Sequence, residues 1–166
     1  MSVKNKINSI NLWLKKNTSI DEQILSIKKF ETGQSNPTFL LKSDNKSFVL
    51  RSKPLGNLLR GAHRIDREYK VMSALSNSKI PTPKMYGYCS DGNIIGSEFY
   101  VMEFINGAHE FDPDLPNYTI EQRDKVYKHK IKILAELVKL DLKQIGLEDF
   151  GKPYGYLERQ ISLWTK

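Results

Sequence analysis

A cation and a carboxylate in this sequence lie on elements that are otherwise apolar. Arg51 ends a predicted strand whose preceding residues, 48–50, are all apolar. Glu68 lies three residues after Ile65 and four before Met72, so it falls on the apolar stripe of a predicted helix. Because a buried charge without a partner is costly, we expect Arg51 and Glu68 to form an ion pair.

A polar segment upstream of this pair has the residue types of an anion-binding turn. Gly33 permits a tight reversal between two predicted strands, in which backbone amides can face an anion. The side chains of Gln34, Ser35 and Asn36 would add hydrogen-bond donors there. Each feature alone has a structural interpretation: a glycine in a hairpin, a cation at a strand end, a salt bridge on a helix. Their order along the chain favours a phosphate-binding site.

The elements that must position these residues follow an order typical of an α+β protein. We predict a helix at 4–16, strands at 23–32, 38–42 and 47–51, a helix at 64–75, strands at 84–89 and 97–104, and helices at 119–141 and 157–164. Short polar turns between the first three strands predict an antiparallel meander. A shift in composition near residue 105 predicts two parts, residues 1–104 and residues 105–166.

Composition and charge narrow the classes of function. The 166 residues are 39% hydrophobic and 27% charged, which suits one folded core or two small lobes rather than a disordered tail. The net charge of +7 is concentrated in residues 1–83, which hold 15 Lys and Arg against 6 Asp and Glu. A basic half suits polyphosphate binding, and solvated lysines or nucleic-acid binding are the alternatives. No recognition helix is predicted, so we expect no nucleic-acid partner.

Residue types that the sequence lacks exclude other classes of site. No apolar run approaches the roughly 20 residues of a membrane-spanning helix, and no apolar segment follows the basic start. Cys89 is the single cysteine, so a disulfide framework is excluded. We interpret His63, His109 and His129 as structural or surface residues because they lack metal-ligand spacing. We expect a cytoplasmic protein with no membrane partner.

Several segments together resemble the aminoglycoside-phosphotransferase-like kinases, in the branch also found fused to some acyl-CoA dehydrogenases. The matching segments are residues 48–51 with 54–56, 62–63, 66–69, 81–84, 99–103 with Gly107, 146–153, and 159–161 with Trp164. The resemblance runs from about Phe30 to Trp164. It implies a protein-kinase-like N-terminal lobe at 1–104, with a glycine loop and a hinge strand. Residues 105–166 would be a connector and the start of a helical C-terminal lobe.

The resemblance implies ATP as the bound nucleotide and gives the candidate residues roles. Arg51 would contact the α- and β-phosphates at the position where most kinases have lysine, and Glu68 would orient it. Residues of the glycine turn would form the loop that covers the phosphates: Gly33, Gln34, Ser35 and Asn36. Met102 would lie behind the adenine. Backbone groups of Glu103 and Ile105 would bond to the adenine edge.

The implied reaction transfers the γ-phosphoryl group of ATP–Mg²⁺ to a hydroxyl of a small molecule. The branch suggests a hydroxyacyl thioester, such as a hydroxyacyl-CoA, as the acceptor. It favours an aminoglycoside less. In one departure, the family's common histidine three residues before the position of Asp141 is replaced by Val138.

The family's catalytic loop, with its aspartate and following asparagine, and its later magnesium-binding aspartate have no match in these residues. Asp112 and Asn117 have the catalytic spacing, but prolines interrupt the segment and it precedes the long helix, so we interpret it as a polar connector. We therefore assign no catalytic or metal-binding residue and expect the Mg²⁺ ligands outside this chain. Two hypotheses stay open: the N-terminal part of a phosphotransferase, or a non-catalytic module that binds a nucleotide or a partner.

Overall fold

An antiparallel sheet with helices on both faces forms the body of the molecule, in a computed structural model that describes residues 6–31, 35–56, 61–152 and 154–165. The elements in chain order are α1 (Ile7–Asn17), β1 (Ser26–Lys29), β2 (Thr38–Lys42), β3 (Ser47–Ser52), α2 (Ile65–Leu75), β4 (Met85–Cys89), β5 (Phe99–Glu103), α3 (Ile120–Val138) and α4 (Tyr156–Trp164). The predicted α+β class and element order are confirmed. The predicted loop residues Gly33 and Gln34 lie outside the described residues.

The sheet has five strands in the order β1-β2-β3-β5-β4, and every neighbouring pair is antiparallel. The first three strands form the predicted meander, and β5 then inserts between β3 and β4. The register places Thr38 opposite Arg51, and Arg51 opposite Tyr100. These three residues therefore form one row across the middle of the sheet, with their side chains on the same face.

Helix α1 covers one face of the sheet and closes the apolar core there. Ile10 and Leu14 are buried on α1, and the ring of Trp13 meets that of Phe99 edge-on with 4.8 Å between centroids. The strands contribute alternate apolar side chains to this core: Ile27, Phe39, Leu41, Phe48, Leu50, Phe99 and Val101. Alternation along β3 sends Leu50 into this core and its neighbour Arg51 to the opposite face.

Helix α2 lies on the opposite face, against β4 and β5. Ile65 and Leu75 are its buried apolar residues, and Tyr69 stacks on Tyr88 of β4 with 5.6 Å between ring centroids. Glu68 lies in the first turn of α2, where a carboxylate interacts favourably with the helix dipole. This packing holds Glu68 above the row of residues that crosses the sheet.

Helices α3 and α4 follow the sheet and bury no side chain among the described residues. Helix α3 begins at a capping box, in which the Thr119 hydroxyl accepts the backbone N–H of Gln122 and the Gln122 side-chain oxygen accepts the backbone N–H of Thr119. Large apolar side chains on the two helices are exposed, including Ile131, Leu134, Val138, Leu157, Ile161 and Trp164. No helix in the described ranges has both the length and the apolar character to cross a membrane. The division at residue 105 stays a prediction.

Candidate functional site

Arg51 and Glu68 form the ion pair that the sequence predicts. The Arg51 Nε atom donates to Glu68 Oε2 at 2.8 Å. The two side chains are 28% and 35% exposed, so the pair is partly shielded from water on the α2 face of the sheet. A guanidinium held in this way keeps donors that are not used by the carboxylate. The role of the pair in binding a nucleotide stays a prediction.

Neighbouring strands fix the orientation of this pair through the cross-strand row. Arg51 Nη1 donates to Thr38 Oγ1 at 2.9 Å, and the hydroxyl of Tyr100 donates to Glu68 Oε2 at 3.1 Å. Burial, with the nearby Glu68 charge, raises the pKa of Tyr100 well above its ordinary value. The Tyr100 hydroxyl therefore stays protonated and remains a donor to the carboxylate.

Asn36 lies inside the same network and is only 4% exposed. Its Nδ2 atom donates to Glu68 Oε1 at 2.7 Å, so both oxygens of the carboxylate accept hydrogen bonds. Its Oδ1 atom lies 2.9 Å from Nδ1 of His63. We predicted that the Asn36 side chain would donate to a phosphate, whereas in this structure its amide bonds to Glu68 and His63. Ser35 is exposed beside it, and a phosphate contact of either residue stays a prediction.

A cavity of about 650 Å³ lies beside the ion pair, a size typical of small-ligand pockets. Arg51, Glu68 and Met102 all line it, so three of the predicted residues share one cavity. The guanidinium of Arg67, which also lines the cavity, lies 3.8 Å from the ring centroid of Phe150. Neither Arg67 nor Phe150 was predicted from the sequence to be part of the site. The cation–π contact brings both to the cavity.

The two predicted adenine-edge residues lie at the end of β5, and neither lines the cavity. The backbone N–H of Glu103 donates to the carbonyl of Lys84 at 2.8 Å. Its carboxylate accepts from the Lys84 N–H at 3.1 Å. Since the Glu103 N–H is occupied, its carbonyl oxygen is the backbone group left for a ligand. Ile105 follows the strand and is 61% exposed.

Other reactive side chains do not add to the site. Within the described ranges, no three His, Cys, Asp or Glu residues cluster closely enough to hold a metal ion. Asp112 accepts the backbone N–H of Asp114 at 2.9 Å in an exposed turn, which agrees with a polar connector. Cys89 is 3% exposed, and burial raises the pKa of its thiol.

Sequence reasoning missed two partners of the ion pair, Thr38 and Tyr100, and also His63, which bonds to Asn36. Thr38 and Tyr100 could have been found once the strand register was known, because they lie opposite Arg51 on its two neighbouring strands. His63 was interpreted as a structural or surface residue. His63 contacts Asn36 because the loop before α2 passes close to that residue, and no periodic pattern in the sequence indicates such a contact.

Known proteins resemble this chain over most of its length. Residues 26–166 match the phosphotransferase enzyme family. Acyl-CoA dehydrogenase family member 11 of Rattus norvegicus is 44% identical over 143 residues, which are 86% of this chain and 18% of that protein. Acyl-CoA dehydrogenase family member 10 of Mus musculus is 39% identical over 142 residues, 86% of this chain and 13% of that protein.

A solved structure agrees with the sequence comparisons. A crystal structure described as a "putative aminoglycoside phosphotransferase" from Ralstonia eutropha superposes with a TM-score of 0.80 at 37% sequence identity. The match covers 95% of this chain and 45% of that one. The chain thus spans less than a fifth of the two dehydrogenase-family relatives and less than half of the crystallised protein. By sequence and by fold, this chain belongs to the phosphotransferase enzyme family.

Proposed function

We propose that this chain is the nucleotide-binding part of an ATP-dependent phosphotransferase that acts on a hydroxyl group of a small molecule. The observation that carries the proposal is the Arg51–Glu68 ion pair at the wall of a cavity that extends to Met102. The cavity therefore has a charged end at Arg51, which suits phosphates, and an apolar end at Met102, which suits a nucleotide base. Family membership supports the same class of reaction.

The chemistry proposed for these residues is binding and charge stabilisation. Arg51 would bond to non-bridging phosphate oxygens with the donors that Glu68 and Thr38 leave unoccupied, and so reduce repulsion between the phosphates. In the reaction, the bond from the γ-phosphorus to the bridging oxygen breaks and a bond to the acceptor oxygen forms. The acceptor hydroxyl loses its proton, and ADP leaves. Mg²⁺ bound with the nucleotide supplies charge neutralisation in such reactions.

We propose a hydroxyacyl thioester, such as a hydroxyacyl-CoA, as the acceptor. The support is that the relatives are named acyl-CoA dehydrogenase family members, in which the matched segment is under a fifth of the protein. A dehydrogenase of that name acts on acyl thioesters, so a kinase on the same polypeptide would meet that class of compound. An aminoglycoside, the substrate class in the name of the crystallised neighbour, is the second acceptor to test.

The exposed apolar side chains of α3 and α4 support a larger phosphotransferase unit. Leu134 and Val138 on α3 are 59% and 77% exposed, and Trp164 on α4 is 82% exposed. A monomer rarely leaves so much neighbouring apolar surface in water. We propose that the rest of a helical lobe covers these side chains, because the crystallised neighbour is more than twice as long as the matched region.

Calorimetric titration with ATP tests the proposal. We expect saturable binding to the wild-type chain, and Arg51→Ala should weaken it on the order of tenfold or more, because hydrogen bonds to a charged group are lost. Lys42→Ala is the matched control, since Lys42 is an exposed cation on the adjacent strand β2 and its loss should change affinity less than twofold. Equal ATP affinity for wild type and Arg51→Ala would contradict the proposal.

A non-catalytic nucleotide-binding module is the second candidate. It would use the same Arg51–Glu68 pair and cavity to bind the nucleotide without turnover. The two candidates predict different results for ATP turnover by a longer polypeptide that includes this chain. Formation of ADP with a phosphorylated hydroxyl compound would support the phosphotransferase, and ATP binding with no ADP formation would support the module.

A further inference from the structure

His63 contacts the ion-pair network from a loop and with an unusual backbone conformation. Its φ is 56°, in the left-handed region that residues other than glycine rarely adopt, and in which asparagine, aspartate and histidine are the most frequent of them. It stands two residues before α2, and its carbonyl accepts the N–H of Ile65 at 3.0 Å. Its Nδ1 atom lies 2.9 Å from Oδ1 of Asn36, a residue 27 positions earlier.

The hydrogen-bond chemistry of Glu68 fixes where the protons lie. A carboxylate only accepts, so the Asn36 atom that lies 2.7 Å from Glu68 Oε1 is the Nδ2 donor. The other end of the amide, Oδ1, then faces His63 and can only accept. The hydrogen between Oδ1 and Nδ1 therefore belongs to His63, whose imidazole carries its proton on Nδ1 when it is neutral.

We propose that His63 is a positioning residue for the Arg51–Glu68 pair and acts through Asn36. If the Asn36 amide turned over, its Oδ1 would face the carboxylate oxygen of Glu68 at short distance and repel it. The His63 N–H bonds to the other end of the amide and so stabilises the same orientation that Glu68 requires. His63 thereby connects the segment that carries Asn36 to the start of α2, which carries Glu68.

The burial of Asn36 makes this stabilisation effective. Its side chain is 4% exposed, so water competes little for either end of the amide. Without a donor at residue 63, the Asn36 oxygen loses its partner in a buried place, and the preference for the native amide orientation weakens. The consequence for ATP affinity rests on the proposed function, whereas the hydrogen-bond geometry does not.

The tautomer of His63 in the wild-type chain is the first test. Two-dimensional spectra of nitrogen-15-labelled imidazoles, recorded in alkaline buffer where histidine is neutral, distinguish the two ring nitrogens. We expect the proton of His63 on Nδ1. A proton on Nε2, the more common site in free histidine, would overturn the inference. This measurement needs no bound nucleotide, so it is independent of whether the chain binds ATP.

A matched pair of variants gives the second test. Asparagine and glycine both accept a left-handed backbone, but only asparagine has a side-chain donor for Asn36 Oδ1. His63→Asn should therefore keep the Arg51 Nε–H resonance sharp and the ATP affinity within about threefold of wild type. His63→Gly should broaden that resonance and lower ATP affinity on the order of tenfold. His129→Gly on exposed α3 controls for loss of an imidazole elsewhere.

The outcomes separate the two proposals. An Arg51 resonance that is equally sharp in His63→Gly and His63→Asn would contradict the positioning role, whatever happens to ATP. If the resonance broadens only in His63→Gly, the positioning role is supported. If the wild-type chain in the same experiments binds no ATP, the proposed function is contradicted. Melting temperatures of both variants show whether they are folded, and the tautomer measurement decides the matter if His63→Gly does not fold.

Discussion

The two faces of the sheet are built from the same strands but have opposite characters. On the α1 face, Leu50, Leu41 and Phe99 are each completely buried and pack under an apolar helix surface. On the α2 face, the row formed by Thr38, Arg51 and Tyr100 carries polar groups, and Glu68 completes it from above. Leu50 and Arg51 are adjacent in β3, so one step along the chain separates the core from the candidate site.

This difference indicates a division of labour between the faces. The apolar face supplies most of the free energy of folding, since burial of apolar surface is the dominant favourable term. The polar face holds a charged pair that makes four hydrogen bonds to three neighbouring residues, Asn36, Thr38 and Tyr100, an arrangement that is costly to assemble. Substitutions on the α1 face should therefore change stability, and those on the α2 face should change nucleotide binding.

The largest expected effect is on the α1 face. Leu50→Ala should lower the free energy of unfolding by about 2–5 kcal/mol, because it leaves a cavity among side chains that are close-packed. Urea denaturation followed by circular dichroism measures this loss. Arg51→Ala is the matched neighbour and should cost less stability while it weakens ATP binding. A loss below about 1 kcal/mol for Leu50→Ala would contradict the assignment of the core.

A smaller effect is expected from the carboxylate of the pair. Glu68→Gln keeps the shape of the side chain but removes the charge that holds Arg51, so ATP affinity should fall several-fold, by about 1 kcal/mol, and less than in Arg51→Ala. Titration calorimetry gives the affinities. Glu98→Gln is the control, because Glu98 bonds to Lys53 and Tyr88 outside the cavity lining. Equal ATP affinities for Glu68→Gln and Glu98→Gln would contradict a role of the Glu68 charge in binding.

The smallest effect is expected at the edge of the network. Tyr100→Phe removes one hydrogen bond to Glu68 and nothing else, so it should lower the free energy of unfolding by about 0.5–1.5 kcal/mol and change ATP affinity less than twofold. Thermal unfolding measures the first quantity. Tyr88→Phe, which removes the hydrogen bond to Glu98, is the control for loss of a partly buried tyrosine hydroxyl. An ATP affinity reduced as much as in Arg51→Ala would mean that Tyr100 itself contacts the nucleotide.

Periodicity predicted the elements well and their exact faces less well. Alternation along the predicted strand 23–32 would bury Leu25 together with Ile27, yet Leu25 is 51% exposed and Ile24 is buried. The reason is that β1 begins only at Ser26, and the side chain of Asn11 bonds both backbone groups of Ile24 before the strand starts. A contact from a distant helix overrides a local pattern there.

The candidate site was predictable where a charge interrupts an apolar pattern. Arg51 and Glu68 satisfy that condition, and their pairing followed from the cost of a buried charge. His63 and Asn36 do not interrupt an apolar pattern, because each is a polar residue in a polar loop. Their contact depends on how the chain folds. The contact between Arg67 and Phe150 likewise joins residues far apart in sequence whose meeting depends on tertiary packing.

The position of bound ATP on the sheet tests the account most directly. Methyl resonances report on each face. Met72 and Met102 line the cavity on the α2 face, whereas Leu14 of α1 and Leu41 of β2 lie in the core on the α1 face. In a titration of the wild-type chain with ATP, we expect saturable shifts of the Met72 and Met102 methyl signals and unchanged Leu14 and Leu41 signals. Methionine signals that stay unchanged at saturating ATP would contradict the assignment of the nucleotide to the Arg51 face.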